Sequence, residues 1–310
     1  MTAPAAGIAT ETVTETATET VTAPATGTGK RPALSDTKTV TADEITAYRD
    51  TVRSVIAVPG PHTGVAKASP VHAFVLAHGM LGRLVGELSA DAPEPPAVVH
   101  LSQEIRVRRL PLPDEEVAIG LDLVAARREA RGVRLALRCG LTGGDGAPIA
   151  ELVTGVLLVG AASPEPFGEM PAYPAPPEGG DPAERIVVTH RLTTGMVRRY
   201  ADVSGDHNPI HLDAGAARQA GFPGVIAHGM SVMALICEEV IDRYASGDAA
   251  RVLGVAGRFS SPVSPEEPLD IILQPDREGR TIGFSCKTPQ GVAVKSGRID
   301  IAAQEGEIHD

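Results

Sequence analysis

Met230-Ser-Val-Met-Ala-Leu-Ile-Cys-Glu-Glu-Val-Ile241 is apolar on nearly every face up to Cys237, with none of the polar stripe that a surface helix shows. A helix of this kind is stable only where other structure wraps it. It falls well short of the roughly 20 apolar residues of a bilayer span, so the wrapping is expected to be protein. Downstream, segments 253–259, 269–273, 281–287 and 292–301 read as strands. An antiparallel sheet curled around the helix is the simplest packing that buries it, and the unit is therefore read as α+β.

The same order of signals occurs earlier in the chain. Thr41-Ala-Asp-Glu44 is a capping box for a short helix, a long helix is expected to start near Gly79, and 116–124, 132–139 and 149–159 read as strands. Gly143-Gly-Asp-Gly146 suits a hairpin turn. Four landmarks repeat. Val75-Leu-Ala-His-Gly-Met-Leu81 matches Val225-Ile-Ala-His-Gly-Met-Ser231, with the histidines at 228 − 78 = 150. Tyr48 answers Tyr200 (200 − 48 = 152), Pro113-Asp-Glu-Glu answers Pro265-Glu-Glu-Pro (265 − 113 = 152), and Cys139 answers Cys286 (286 − 139 = 147). Landmarks in one order at nearly one offset predict a duplicated unit.

The Pro/Gly-rich stretch 163–185 can continue neither a helix nor a central strand and divides the two copies. The expected organisation is a low-complexity tail at 1–35, a first copy at 36–162, the linker, and a second copy at 186–304. The tail carries TETVTETATETVT, with too few large apolar groups to offset the entropy of ordering.

The charge balance of 28 − 39 = −11, without basic clusters or interleaved aromatics, argues against nucleic acid or anionic lipid as a partner. Cys139, Cys237 and Cys286 are odd in number and widely spaced, as reduced thiols of a cytoplasmic protein would be, and they offer no structural zinc site. No stretch reads as a membrane span or a secretory leader, so the chain is expected to be soluble. Small-molecule chemistry is the class that remains.

The segment that carries chemistry is Tyr200-Ala-Asp-Val-Ser-Gly-Asp-His-Asn-Pro-Ile-His211, continuing to Ala217, Gly221-Phe222 and Ala227-His-Gly-Met230. Asp206 and His211 are five positions apart around a loop of Gly, Asn and Pro, which can bend so that both side chains address one water. This pattern resembles the MaoC-like, (R)-specific enoyl-thioester hydratase family. The resemblance implies a hot-dog fold, here a tandem double hot-dog, and reversible hydration of a trans-2-enoyl thioester. It implies Asp206 and His211 as the catalytic pair and Gly229, where a helix begins, as the oxyanion-hole donor. It implies no metal and no organic cofactor. The substrate would be an acyl-CoA or an acyl-carrier-protein thioester, and the protein would be a homodimer of double hot-dogs.

Chemistry agrees with those roles. Hydration needs a group to take a proton from water, a group to deliver one to the α-carbon, and stabilisation of an enolate-like oxygen. Which of Asp206 and His211 takes the water's proton stays open, because their titrations would be coupled. Asn208 is expected to orient the loop or the dyad, with Ser204 and His228 in support. His207 is expected to face solvent, and His78, like His228, to pack at a helix entrance. In the first copy the positions answering Asp206 and His211 are Ser54 and Pro59, so one site per chain is expected, and Pro59-Gly-Pro-His62 reads as a turn. A hot-dog thioesterase and a non-catalytic acyl-thioester binding subunit are the competing functions.

Overall fold

A computed structural model describes residues 33–57, 67–90, 96–175, 181 and 184–303. The tail reading for 1–32, the turn at Pro59–His62 and parts of the linker lie outside these residues.

The first half contains β1 (Ala33–Val40), α1 (Ala42–Arg53), α2 (His72–Leu88), β2 (Ala97–Val107), β3 (Glu115–Glu129), β4 (Gly132–Gly143) and β5 (Pro148–Val159). The second contains β6 (Ile186–Arg191), α3 (Thr194–Ser204), α4 (Ala214–Gln219), α5 (Gly229–Tyr244), β7 (Val252–Phe259), β8 (Pro268–Pro275), β9 (Thr281–Thr288) and β10 (Gly291–Ile301). All ten strands join in one antiparallel sheet, ordered β1-β3-β4-β5-β2-β7-β10-β9-β8-β6. Exchanging each strand for its counterpart in the other half reverses this order onto itself. The duplication is therefore real, with its approximate two-fold at the β2–β7 seam, where Ser102 pairs with Arg258 and Arg106 with Gly254. This is the tandem double hot-dog expected from the sequence.

Local chemistry repeats at an offset of 152. Thr41 and Thr193 cap α1 and α3, each accepting a backbone N–H three residues on. Asp114 and Glu266 both take positive φ, 61° and 67°, and both donate their N–H back, to Val40 O and Leu192 O. The Tyr48 and Tyr200 hydroxyls meet at 3.4 Å in the core between the halves.

One landmark does not hold. Helix α2 begins at His72, not near Gly79, because the buried run His72–Ala77 already carries a helix face to the core. His72 packs edge-on to Tyr48 at 5.0 Å, as His228 packs on Tyr200 at 4.9 Å, so His72 is the counterpart of His228 (228 − 72 = 156). The shared word Ala-His-Gly-Met is a coincidence of composition, and His78 lies within α2, not at its entrance.

The prediction for α5 is borne out: every residue from Met230 to Ile241 is buried. The two acids of that buried run are neutralised in place. Glu238, fully buried, accepts from Arg49 Nε at 3.0 Å and from Arg53 at 2.7 Å, both on α1, while Glu239 pairs with His190 at 2.7 Å and with Arg243. Ion pairs thus weld the second half's central helix to the first half. The linker is partly structured: Phe167 exchanges backbone hydrogen bonds with Ala126, and the Tyr173 hydroxyl accepts from Ser102 Oγ at 2.9 Å under the Arg258 guanidinium. Among the described residues no helix is long and apolar enough to cross a membrane.

Candidate active site

Helix α3 ends where Gly205 takes a left-handed φ of 72°, a conformation that glycine adopts without a Cβ penalty. The chain then turns sharply, and its polar side chains hold the turn. Ser204 Oγ donates to Tyr200 O at 2.6 Å and accepts the Asp206 N–H at 3.2 Å. Asp206 Oδ1 accepts the Asn208 N–H at 3.2 Å, and Asn208 Oδ1 accepts the Ile210 N–H at 3.3 Å, capping the 3-10 turn Pro209–His211. Ser204 and Asn208 thus hydrogen-bond within the loop that carries Asp206 and His211.

His211 is buried, and its Nδ1 lies 2.8 Å from Ile226 O. A carbonyl can only accept, so Nδ1 holds the proton and Nε2 presents a lone pair. His228 Nε2 likewise donates to Asp206 O at 2.9 Å, which ties the entrance of α5 to the Asp206 loop. The His211 and His228 rings lie 3.9 Å apart, and His228 is backed by Tyr200. Asp206, His211 and His228 each bring one ligand-type atom to within 4.8 Å of the others, a span that one water can bridge and one in which two imidazoles and a carboxylate could also hold a cation.

The electrostatics favour an ionised acid beside neutral imidazoles. Burial works to raise the Asp206 carboxyl, but the His78, His228 and His211 imidazoles and the Asn208 N–H outweigh it and leave it below its ordinary value. Burial pushes His211 below the ordinary histidine range, against the pull of Asp206. His228 is pushed down to about 4, first by burial and then by His211.

Gly229 is the first residue of α5, and no side chain caps that end. The opening N–H groups of a helix have no partner within it and carry the positive end of the dipole. The absence of a side chain has a visible cause: a Cβ on Gly229 would meet Phe259 Cε1 at 2.9 Å.

The first half adds residues that the sequence did not assign to the site. His78 Nε2 is 3.7 Å from Asp206 Oδ1. An aromatic row runs from it: His78 on Phe74 at 5.5 Å, Phe74 stacked on His100 at 5.3 Å, and His100 on Phe259 at 4.8 Å, which reaches Gly229. No local signal marks these residues, since 206 − 78 = 128 positions separate the nearest pair. His207 faces solvent, as expected. Ser54, the counterpart of Asp206, merely caps α1 through its hydroxyl on Thr51 O at 2.7 Å.

Residues 180–288, in the second half of the double hot-dog sheet, match the model of the MaoC-like domain. The chain is 31% identical over 194 residues to 3-hydroxyacyl-thioester dehydratase Y of Mycobacterium tuberculosis, an alignment covering 61% of this chain and 65% of that one. It is 28% identical to the peroxisomal enoyl-CoA hydratase 2 of Arabidopsis thaliana, over 67% of this chain and 69% of that protein. The chain thus spans just under two thirds of the first of these relatives. The MaoC-like dehydratase of Phytophthora capsici has the same fold, with a TM-score of 0.70 at 19% identity over 88% of this chain and 97% of its own.

Proposed function

We propose that the chain catalyses reversible addition of water to a trans-2-enoyl thioester, giving the (R)-3-hydroxyacyl thioester. The observation that carries this reading is the pairing of an ionised Asp206 with a neutral His211, one ligand-type atom from each within 4.8 Å, beside the uncapped N-terminus of α5. The similarity to proteins named dehydratase and hydratase supports it.

In the forward step, water held between Asp206 and His211 loses a proton to one of them as its oxygen bonds to C3. The electron pair of the double bond moves onto the thioester oxygen, where the Gly229 N–H and the dipole of α5 meet the developing charge. The same proton is then delivered to C2 as the carbonyl re-forms. One water supplies both added groups, and the dyad ends in the state in which it began. Because one pair handles both transfers, they occur on one face of the double bond. His211 suits proton transfer from water, since its Nδ1–H is fixed on Ile226 O and its Nε2 lone pair is free to accept.

The thioester is carried by coenzyme A or an acyl carrier protein, the protein acts in the cytoplasm as a homodimer of double hot-dogs, and no metal or organic cofactor takes part. The test is an assay of the purified chain with crotonyl-CoA, following loss of the enoyl absorbance alongside release of free thiol. Loss of absorbance without thiol is expected. Thiol release would identify a thioesterase, and binding without either change would identify a non-catalytic acyl-thioester subunit.

A further inference from the structure

His78 has no counterpart in the other half. With His72 aligned to His228, its position answers Ala234 (78 + 156 = 234), an apolar core residue of α5. Helix packing therefore does not call for an imidazole there. The ring nonetheless turns its Nε2 toward Asp206 Oδ1 at 3.7 Å, and neither side chain is sealed, at 23% and 21% exposure. Its other nitrogen, Nδ1, is buried with no hydrogen-bond partner among the described residues, so no bond on the protein side accounts for the ring's orientation. Phe74, one turn back on α2, holds the ring in place.

From this we infer that His78, lent by the half that lacks the dyad, is a positioning residue for Asp206, holding its carboxylate turned toward the bound water and thioester. The inference rests on the hydration reading of the site. The separation of 3.7 Å is an ion-pair distance that must shorten to become a hydrogen bond, and catalytic contacts commonly tighten in this way once substrate is bound.

The titratable groups that face His78 are Asp206 and His211 from the motif loop, His228 from the entrance of α5 and His100 from β2. A positive charge on His78 lowers the titration of both members of the dyad. Removing it raises both, so the acid limb of the rate profile moves to higher pH whichever group that limb reports. A residue with only a packing role would leave the limb in place.

The experiment uses the full chain with His78→Ala and His78→Gln. Three quantities are read: kcat and KM for crotonyl-CoA against pH, the thermal midpoint, and the NMR titration of the His211 imidazole. His78→Ala is expected to lower kcat roughly ten- to a hundred-fold, the worth of one charge-assisted hydrogen bond, with KM little changed. Its acid limb and the His211 titration should both move up. His78→Gln keeps a donor but no charge, so it should recover most of the plateau kcat while retaining the shifted limb.

Wild-type kcat and an unmoved His211 titration in both variants would overturn the inference. So would a loss of rate in His78→Ala that follows its thermal midpoint and is absent from a stable His78→Gln. If the wild-type chain fails to hydrate crotonyl-CoA, yet His211 still shifts in His78→Ala, the functional reading falls while the coupling stands.

Discussion

Substituting Gly229 by Ala tests the oxyanion site with little disturbance to the fold. The new methyl carbon would meet Phe259 Cε1 at 2.9 Å, Cδ1 at 3.0 Å and Cζ at 3.3 Å. Carbon atoms rest at about 3.5–4.0 Å, so the ring edge must retreat by roughly 0.6 Å. Phe259 also packs on His100, 4.8 Å away between centroids. Stability gains little or nothing overall, since alanine is the better helix former by up to ~1 kcal/mol and the steric clash offsets that. The methyl group and the shifted ring are expected to narrow the approach of the thioester oxygen to the N–H of residue 229. Loss of one such donor costs about 10²–10³ in kcat. The assay is kcat and KM on crotonyl-CoA at neutral pH, alongside a thermal melt. A variant that melts as wild type and keeps kcat within roughly threefold would refute Gly229 as an oxyanion donor.

Glu238→Gln leaves Arg53 with Asp242 and takes the carboxylate from Arg49, and breaking a buried pair typically costs about 3–5 kcal/mol; a thermal midpoint lower by about 10 °C is expected, and an unchanged one would show that the ion pairs do not weld the halves. His72 and His228 are held at about 4 against an ordinary 6.5, so the folded state binds fewer protons than the unfolded chain between those values. Stability is therefore full above pH 6.5 and lost as pH falls toward 4, and melts across this window check it; a midpoint flat from pH 7 to 4 would contradict the burial of these rings as neutral groups. Residues 186–310 expressed alone would expose the β7 edge along the whole β2–β7 seam; aggregation or self-dimerisation is expected by size-exclusion chromatography, and a soluble active monomer would count against the tandem arrangement.

The site was legible where its signal is local. Asp206, Asn208 and His211 sit on a loop whose hydrogen bonds span two or three residues, so spacing alone brings them together. α5 was legible because twelve consecutive buried residues leave no room for a polar stripe. Strands β1 and β6 escaped notice because they are short edge strands with mostly exposed side chains, so neither shows the alternation that marks a half-buried strand. β2 escaped for a different reason: at the seam it pairs on both sides, and His100, Ser102 and Gln103 interrupt its apolar pattern. The Ala-His-Gly-Met echo misled because a shared word does not fix a helix start, which burial of His72–Ala77 decides. His78 could not be foreseen, since its contact with Asp206 exists only once the halves have closed on one another.

The central claim is that Asp206 and His211 act as one unit on one water. Asp206→Asn keeps the shape and removes the basic carboxylate, and His211→Ala removes the imidazole whose Nδ1 is fixed on Ile226 O. Each change is expected to lower kcat by about 10²–10⁴-fold in a protein that still folds, as monitored by circular dichroism. The deciding measurement is kcat of the double variant on crotonyl-CoA beside the two singles. The account predicts a double variant little slower than the slower single, whereas losses that multiply, or a well-folded Asp206→Asn that hydrates at the wild-type rate, would contradict it.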